Sequence, residues 1–216
     1  SNCQMISKTR ILKLLYFSKL GYVISFFLRS FAIIHRPFMV YGFYNHIEKK
    51  FKQNTRISSN AVLMNKKNLN VGDNVWIGHF SLIDSSNMVT IGNGVQTGSH
   101  ISVYSHSSHN SVRFLGENYI DTDDRFGYIK GEVSIGEYSF IGTGSIIMPN
   151  VNIGKGCLIK SGSLVNISVP DFSLVEGNPA KIVGSTLDFD KKFFKSKMVS
   201  ENYFDRDAIN KYLTKN

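Results

Sequence analysis

His106 and His109 stand three residues apart in the segment VYSHSSHN, residues 103–110. An imidazole titrates near neutrality, so it can take a proton from a reacting group and hand it on. His106 directly follows a strand-like run, Ile101–Ser105, which makes it the better placed general base. His109 is the alternative, and the bland reading is that one of the two only hydrogen-bonds its own loop. Asp84 could contact a substrate hydroxyl or orient a histidine, although a corner aspartate more often satisfies its own turn. His79 reads equally as a substrate-lining residue or a surface corner. Arg113 offers a planar cation to an anionic substrate group such as a carboxylate or a nucleotide phosphate.

The elements that position these groups follow from a period of six. From Ile135 the chain reads IGEYSF, IGTGSI, IMPNVN, IGKGCL, IKSGSL, VNISVP. Every first position is Ile or Val, and every fifth is small or β-branched. An earlier block repeats the rule from Val71 and Ile77, then from Ile91, with a two-residue slip near residues 85–87 between them. Strands alternate faces every two residues, so six suits short strands joined by turns and does not suit a 3.6-residue helix. Glycine after the apolar residue allows a corner that a Cβ would penalise. Three such faces predict a ~18-residue coil of a β-helix, whose coils must stack to bury their insides. On that spacing His79 and His100 fall on one edge. Residues 107–130 break the period and form a loop excursion, the kind of insertion that carries function more often than accident.

Composition limits the rest. Of 216 residues, 42% are hydrophobic and 19% charged, so the chain is not a disordered tail. Two cysteines, Cys3 and Cys157, give no disulfide framework and no zinc pattern, which points to a reducing compartment. A net charge of +9 suggests an anionic partner. Nucleic acid is disfavoured, because no reading motif appears and the basic residues cluster at both ends. Residues 11–44 are the most apolar stretch, but Lys13, Lys19 and Arg29 interrupt it too often for a spanning helix. Ile11, Leu14, Leu15 and Ser18 follow helical spacing. The segment reads as a helix packed on the main domain or, more sharply, as an interfacial helix near anionic lipid. The expected organisation is an N-terminal helical, apolar segment (1–50), a β-helix domain (51–184) and a C-terminal helical cap (185–216).

The pattern resembles the hexapeptide-repeat acyltransferases, the left-handed parallel β-helix family. The [Ile/Val]-Gly repeat, the histidine-bearing break VYSHSSHN and the terminal GNPAK at Gly177–Lys181 carry the resemblance. It covers about Ile57 to Gly184, and the nearest subgroup acetylates sugars and surface polysaccharides. The resemblance implies a mainly β, left-handed coil, although parallel crossovers are ordinarily right-handed. It also implies a catalytic histidine at the break, acetyl-CoA as co-substrate, no metal, a homotrimer, and a cytoplasmic enzyme acting on a saccharide or sugar nucleotide.

Adding 18 to positions on one edge lines up Gly142 with Lys160, Gly144 with Gly162, Ser145 with Ser163, and Gly162 with Ala180. Gly144, Gly162 and Ala180 would form a column of tiny residues against which a pantetheine arm could lie, with freed backbone N–H groups as donors. β-Helix corners need small residues in any case. The family's use of GNPAK around the coenzyme favours the functional reading and adds Pro179. Lys160 and Lys181 would meet phosphates. Phe140 stands where many relatives have Trp, which bears on acceptor stacking. The favoured activity is O-acetylation by direct attack on the thioester, and the alternative is N-acetylation of an amino-sugar nucleotide. A γ-type carbonic anhydrase and a non-catalytic β-helix are the competing readings.

Overall fold

The computed structural model describes Leu14 and residues 17–31 and 36–214. The chain divides into two compact units, residues 1–37 and 38–216. In the first, helix α1 spans Lys19–Phe31. The helical spacing expected over residues 11–18 lies mostly outside the described residues, as does Cys3.

The second unit is a three-sided parallel β-helix. One sheet stacks Lys50–Ser58, Trp76–Ile77, Gln96–Thr97, Phe140–Ile141, Leu158–Ile159 and Ser173–Gly177. The second stacks Val62–Met64, Leu82–Asp84, Ser102–Tyr104, Ile146–Ile147 and Leu164–Val165. The third stacks Leu69–Val71, Val89–Ile91, Val133–Ile135 and Asn152–Ile153. The first position of each hexad points inward, so Ile77, Ile141, Ile159 and Val175 form one fully buried column. The fifth positions supply a second inward column, with Ser139, Ser145, Val151, Cys157 and Ser163 all buried. Burial pushes the Cys157 thiol up from its ordinary value, so it stays protonated.

Coil length varies where a uniform ~18 is the simple expectation. Arg56 pairs with Trp76 and Trp76 with Gln96, so the first coils hold 20 residues. Phe140 pairs with Leu158 at a spacing of 18, and Leu158 with Leu174 at 16. The two-residue slip near residue 85 is therefore one of two. The other is the 3-10 turn Lys66–Asn68, and both lie between the second and third sheets.

Corners take left-handed backbone. One column holds Phe80, His100, Gly144 and Gly162, with φ from +56° to +74°. Another alternates glycine with aromatic rings. A Cβ on Gly94 would lie 2.6 Å from the Tyr138 ring, and one on Gly156 would lie 2.7 Å from the Phe172 ring. Each glycine leaves room for the ring from the next coil.

Two boundaries differ from expectation. Residues 38–50 are not helical: Met39–Asn45 pairs antiparallel with Lys50–Ser58 and forms the sheet's first edge. The excursion 107–130, read from the sequence as a loop, contains helix α2 (His109–Leu115) and a 3-10 turn. It closes through His106↔Lys130 and Ser107↔Ile129. The C-terminal helical cap holds, among the described residues, α3 (Thr186–Asp190), α4 (Lys197–Asn202) and α5 (Arg206–Leu213). Phe172, Leu187 and Ile209 form their common core, and Lys155 pairs with Asp205 at 2.5 Å.

Ile159→Ala is expected to cost about 2–5 kcal/mol of unfolding free energy, since the closed column cannot collapse around the void. Denaturant titration measures it, and a loss below about 1 kcal/mol would contradict the packing described.

Candidate active site

Asp84 ends a strand of the second sheet at the corner where the coil carries its extra residues. Its side chain is only 5% exposed. A buried carboxylate needs partners. Oδ1 accepts hydrogen bonds from the Ser86 N–H at 2.9 Å and the Ser86 hydroxyl at 2.7 Å. Oδ2 lies 2.8 Å from Nδ1 of His106, one coil further on. This second contact is an ion-pair approach without hydrogen-bond alignment, and among the described residues nothing else bonds Nδ1. An Nδ1–H facing a carboxylate leaves the basic lone pair on Nε2. Asp84 thus satisfies its own turn through Oδ1 while Oδ2 faces His106.

The far side of the imidazole is covered by Tyr128, whose ring stacks on it at 5.6 Å and 11°. Burial, then the neighbouring Tyr119 and Asp84, push the Tyr128 phenol up, so it remains a neutral hydroxyl. Tyr128 reaches this position because the excursion returns to pair Lys130 with His106. Ser105, fully buried, fastens the base of the loop. Its hydroxyl donates to the Asp84 carbonyl at 2.8 Å and accepts from the Asn87 N–H at 2.8 Å. Its carbonyl accepts from Gly131 N–H at 2.9 Å and from the Asn87 amide at 2.7 Å.

Asp84 and His106 open onto a groove of about 600 Å³ walled by Met64, Tyr104, Ile146, Met148 and Leu164, with Ser107 and Ser108 beside it. An apolar wall, an oriented imidazole and hydroxyl donors suit proton abstraction from a polar group in a partly dry site.

The other residues singled out in the sequence lie elsewhere. His109 begins α2, exposed, with Nδ1 at 2.7 Å from the Ser107 hydroxyl. Arg113 folds back on its own helix, donating to the His109 carbonyl at 2.6 Å and to Asn110. His79 contacts the Ser58 hydroxyl at 2.7 Å, and its carbonyl accepts from the His100 N–H. Phe140 is exposed on the first sheet, beside Leu158.

The coenzyme column needs correction. Gly144 and Gly162 do share an open corner, where an added Cβ would meet nothing within 4 Å. Their N–H groups are not free: Gly144 donates to Ser99, Gly162 to Thr143 and Gly142 to Ile159, each to a carbonyl of the neighbouring coil. Ser145 and Ser163 face inward, and both hydroxyls donate to the Lys160 carbonyl. They cannot meet a coenzyme. Ala180 does not continue the column, because the last coil is two residues short and turns back, pairing Ala180 with Gly177 around Asn178 and Pro179. Lys160 is ion-paired with Glu176, which also stands opposite Lys181.

Sequence reading missed Ser105, Asn87 and Tyr128. Ser105 carried a usable signal, a small inward residue directly before the histidine. Tyr128 carried none, since its place depends on how the excursion returns.

The family described as "Bacterial transferase hexapeptide (six repeats)" matches residues 132–166. The chain is 27% identical over 184 residues to serine acetyltransferase 4 of Arabidopsis thaliana, covering 83% of this chain and 48% of that one. It is 27% identical over 154 residues to the dTDP-4-amino-4,6-dideoxy-D-glucose acyltransferase of Escherichia coli, covering 62% and 80%. A solved galactoside acetyltransferase in complex with coenzyme A superimposes with a TM-score of 0.50 at 25% identity, over 61% of this chain and 62% of that one. The chain spans about half the length of several curated relatives that it matches. It carries the hexapeptide repeat, and its fold is the left-handed parallel β-helix of these acetyltransferases.

Ser145→Ala is expected to lower stability by about 1 kcal/mol, leaving a buried carbonyl with one donor fewer. Denaturant midpoints measure this. A weaker affinity for a coenzyme with unchanged stability would place Ser145 in a binding site instead.

Proposed function

We propose that this chain transfers an acetyl group from acetyl-CoA to a hydroxyl of a sugar or surface-polysaccharide acceptor. The observation that carries the proposal is the buried Asp84 carboxylate set against His106 at the edge of an apolar groove. Acetyl-CoA supplies an activated thioester. His106 Nε2 takes the proton of the acceptor hydroxyl as its oxygen forms the new C–O bond and the C–S bond breaks. The same proton then passes from His106 to the departing thiolate, which returns the imidazole to its starting state. Asp84 faces Nδ1 of the ring and keeps Nε2 turned to the groove between the two transfers. Tyr128 limits rotation of the ring by stacking on it.

For the coenzyme, Gly144 and Gly162 each precede by two residues a wall residue of the groove, Ile146 and Leu164. An extended arm lying over that open corner would lead to His106. Lys160 and Lys181 are the cations for its phosphates, Lys160 after release from Glu176. Pro179 belongs to the same end of the first sheet. A cytoplasmic homotrimer is part of the proposal. It is supported by the exposed Val62, Met64 and Ile146 on the second sheet, which a neighbouring solenoid would cover. The likeness to an amino-sugar-nucleotide acyltransferase favours N-acetylation as the second reading, in which the amine arrives neutral and depends less on His106.

Acetyl-CoA consumption across sugars, sugar nucleotides and oligosaccharides tests the proposal and separates hydroxyl from amine acceptors. His106→Ala is expected to lower turnover about 10²–10⁴-fold with coenzyme binding retained. Asp84→Asn should lower it at least about tenfold through loss of ring orientation. His109→Ala should leave it within about twofold. Wild-type turnover in His106→Ala removes the base assignment.

A further inference from the structure

Helix α1 has no place in the chemistry above. Leu20, Val23, Ile24 and Phe27 recur at helical spacing along one face, and all four are exposed. Lys19, Gly21, Ser25, Arg29 and Ser30 share the rest of the turn with Tyr22, Phe26 and Leu28, which are exposed as well. In water such a face is a cost that some partner must remove.

Charge indicates which partner. Residues 1–37 contain Lys8, Arg10, Lys13, Lys19, Arg29 and Arg36 and no Asp or Glu at all. The first acidic residue of the chain is Glu48. Most of the net +9 therefore lies in the segment that also carries the exposed apolar helix face. Two copies of such a segment repel one another, so a second copy of this chain is a poor occupant. An anionic surface with an apolar interior satisfies both features: acidic headgroups meet the cations, and acyl chains receive the apolar face. Among the described residues no helix is long and apolar enough to cross a membrane, so α1 would lie in the interface.

We infer that α1 and its flanking cations form a peripheral docking element for an anionic lipid bilayer. The inference stands apart from the acetyltransferase reading, because neither uses a residue of the other. The full chain is mixed with sedimentable vesicles of phosphatidylglycerol and phosphatidylcholine, or of phosphatidylcholine alone. Binding at least about tenfold stronger to the anionic vesicles, weakening as salt is raised, is the expected result. The paired substitutions Val23→Ser with Phe27→Ser, and Lys19→Glu with Arg29→Glu, should each lower that binding about tenfold or more. Thermal unfolding of the β-helix should be unchanged in both. Equal binding to the two vesicle types, or none to either, overturns the inference. So does an oligomer that dissociates in the Val23→Ser, Phe27→Ser variant without any lipid binding, since a second copy would then cover the helix.

Discussion

Every coil of the solenoid hydrogen-bonds to the coil beside it through its backbone, and this ladder governs what the rest of the chain can do. Gly142, Gly144 and Gly162 illustrate the consequence. Gly144 and Gly162 are open enough to accept a ligand from outside and Gly142 is packed against the next coil, yet each of the three N–H groups is already held by a carbonyl of the adjacent coil. Inside, the hydroxyls of Ser139, Ser145 and Ser163 are equally committed, bonding carbonyls that the ladder leaves with spare lone pairs. A regular stretch of this fold therefore supplies shape and apolar wall but few free polar groups. Chemistry must come from where the regularity is interrupted.

The interruption lies between Ser105 and Gly131, and it is tightly managed. Ser105 ties together Asp84, Asn87 and Gly131, so the excursion leaves and rejoins the solenoid at one fixed point. Asp84 pairs in register with Tyr104 in the next coil, and its Oδ2 reaches Nδ1 of His106 two residues further on. The extra residues that follow Asp84, which look in the sequence like a flaw in the repeat, include Ser86, whose N–H and hydroxyl hold the carboxylate. The stacked Tyr128 closes the remaining side. A base that must return to the same geometry after each proton transfer benefits from being held on both faces.

The two ends of the solenoid solve different problems. The last coil is shortened and folded back into a hairpin. Three short helices then pack around Phe172 and Ile209, covering apolar surface that another coil would otherwise have buried. The first edge is a hairpin that exposes aromatic side chains, and the basic helical segment precedes it in the chain. The excess positive charge belongs mainly to that segment, and only Lys160 and Lys181 of it bear on a phosphate-bearing substrate.

The sequence by itself determined the β-helix, its inward columns, its glycine corners and the histidine at the break. Each is a local pattern: residue type repeats every six positions because each coil meets the same surroundings. It ranked His106 above His109 and left Asp84 between a substrate hydroxyl, a histidine and its own turn, and it placed the inward Ser145 and Ser163 on the outer edge. It also extended the small-residue column to Ala180 on a spacing that the last coil does not keep. Those outcomes depend on coil length summed across corners, and on where an irregular excursion returns. A one-residue difference in that sum turns a side chain from the core to the surface. Only the stacked structure fixes the sum, because only there does each coil hold the next in register.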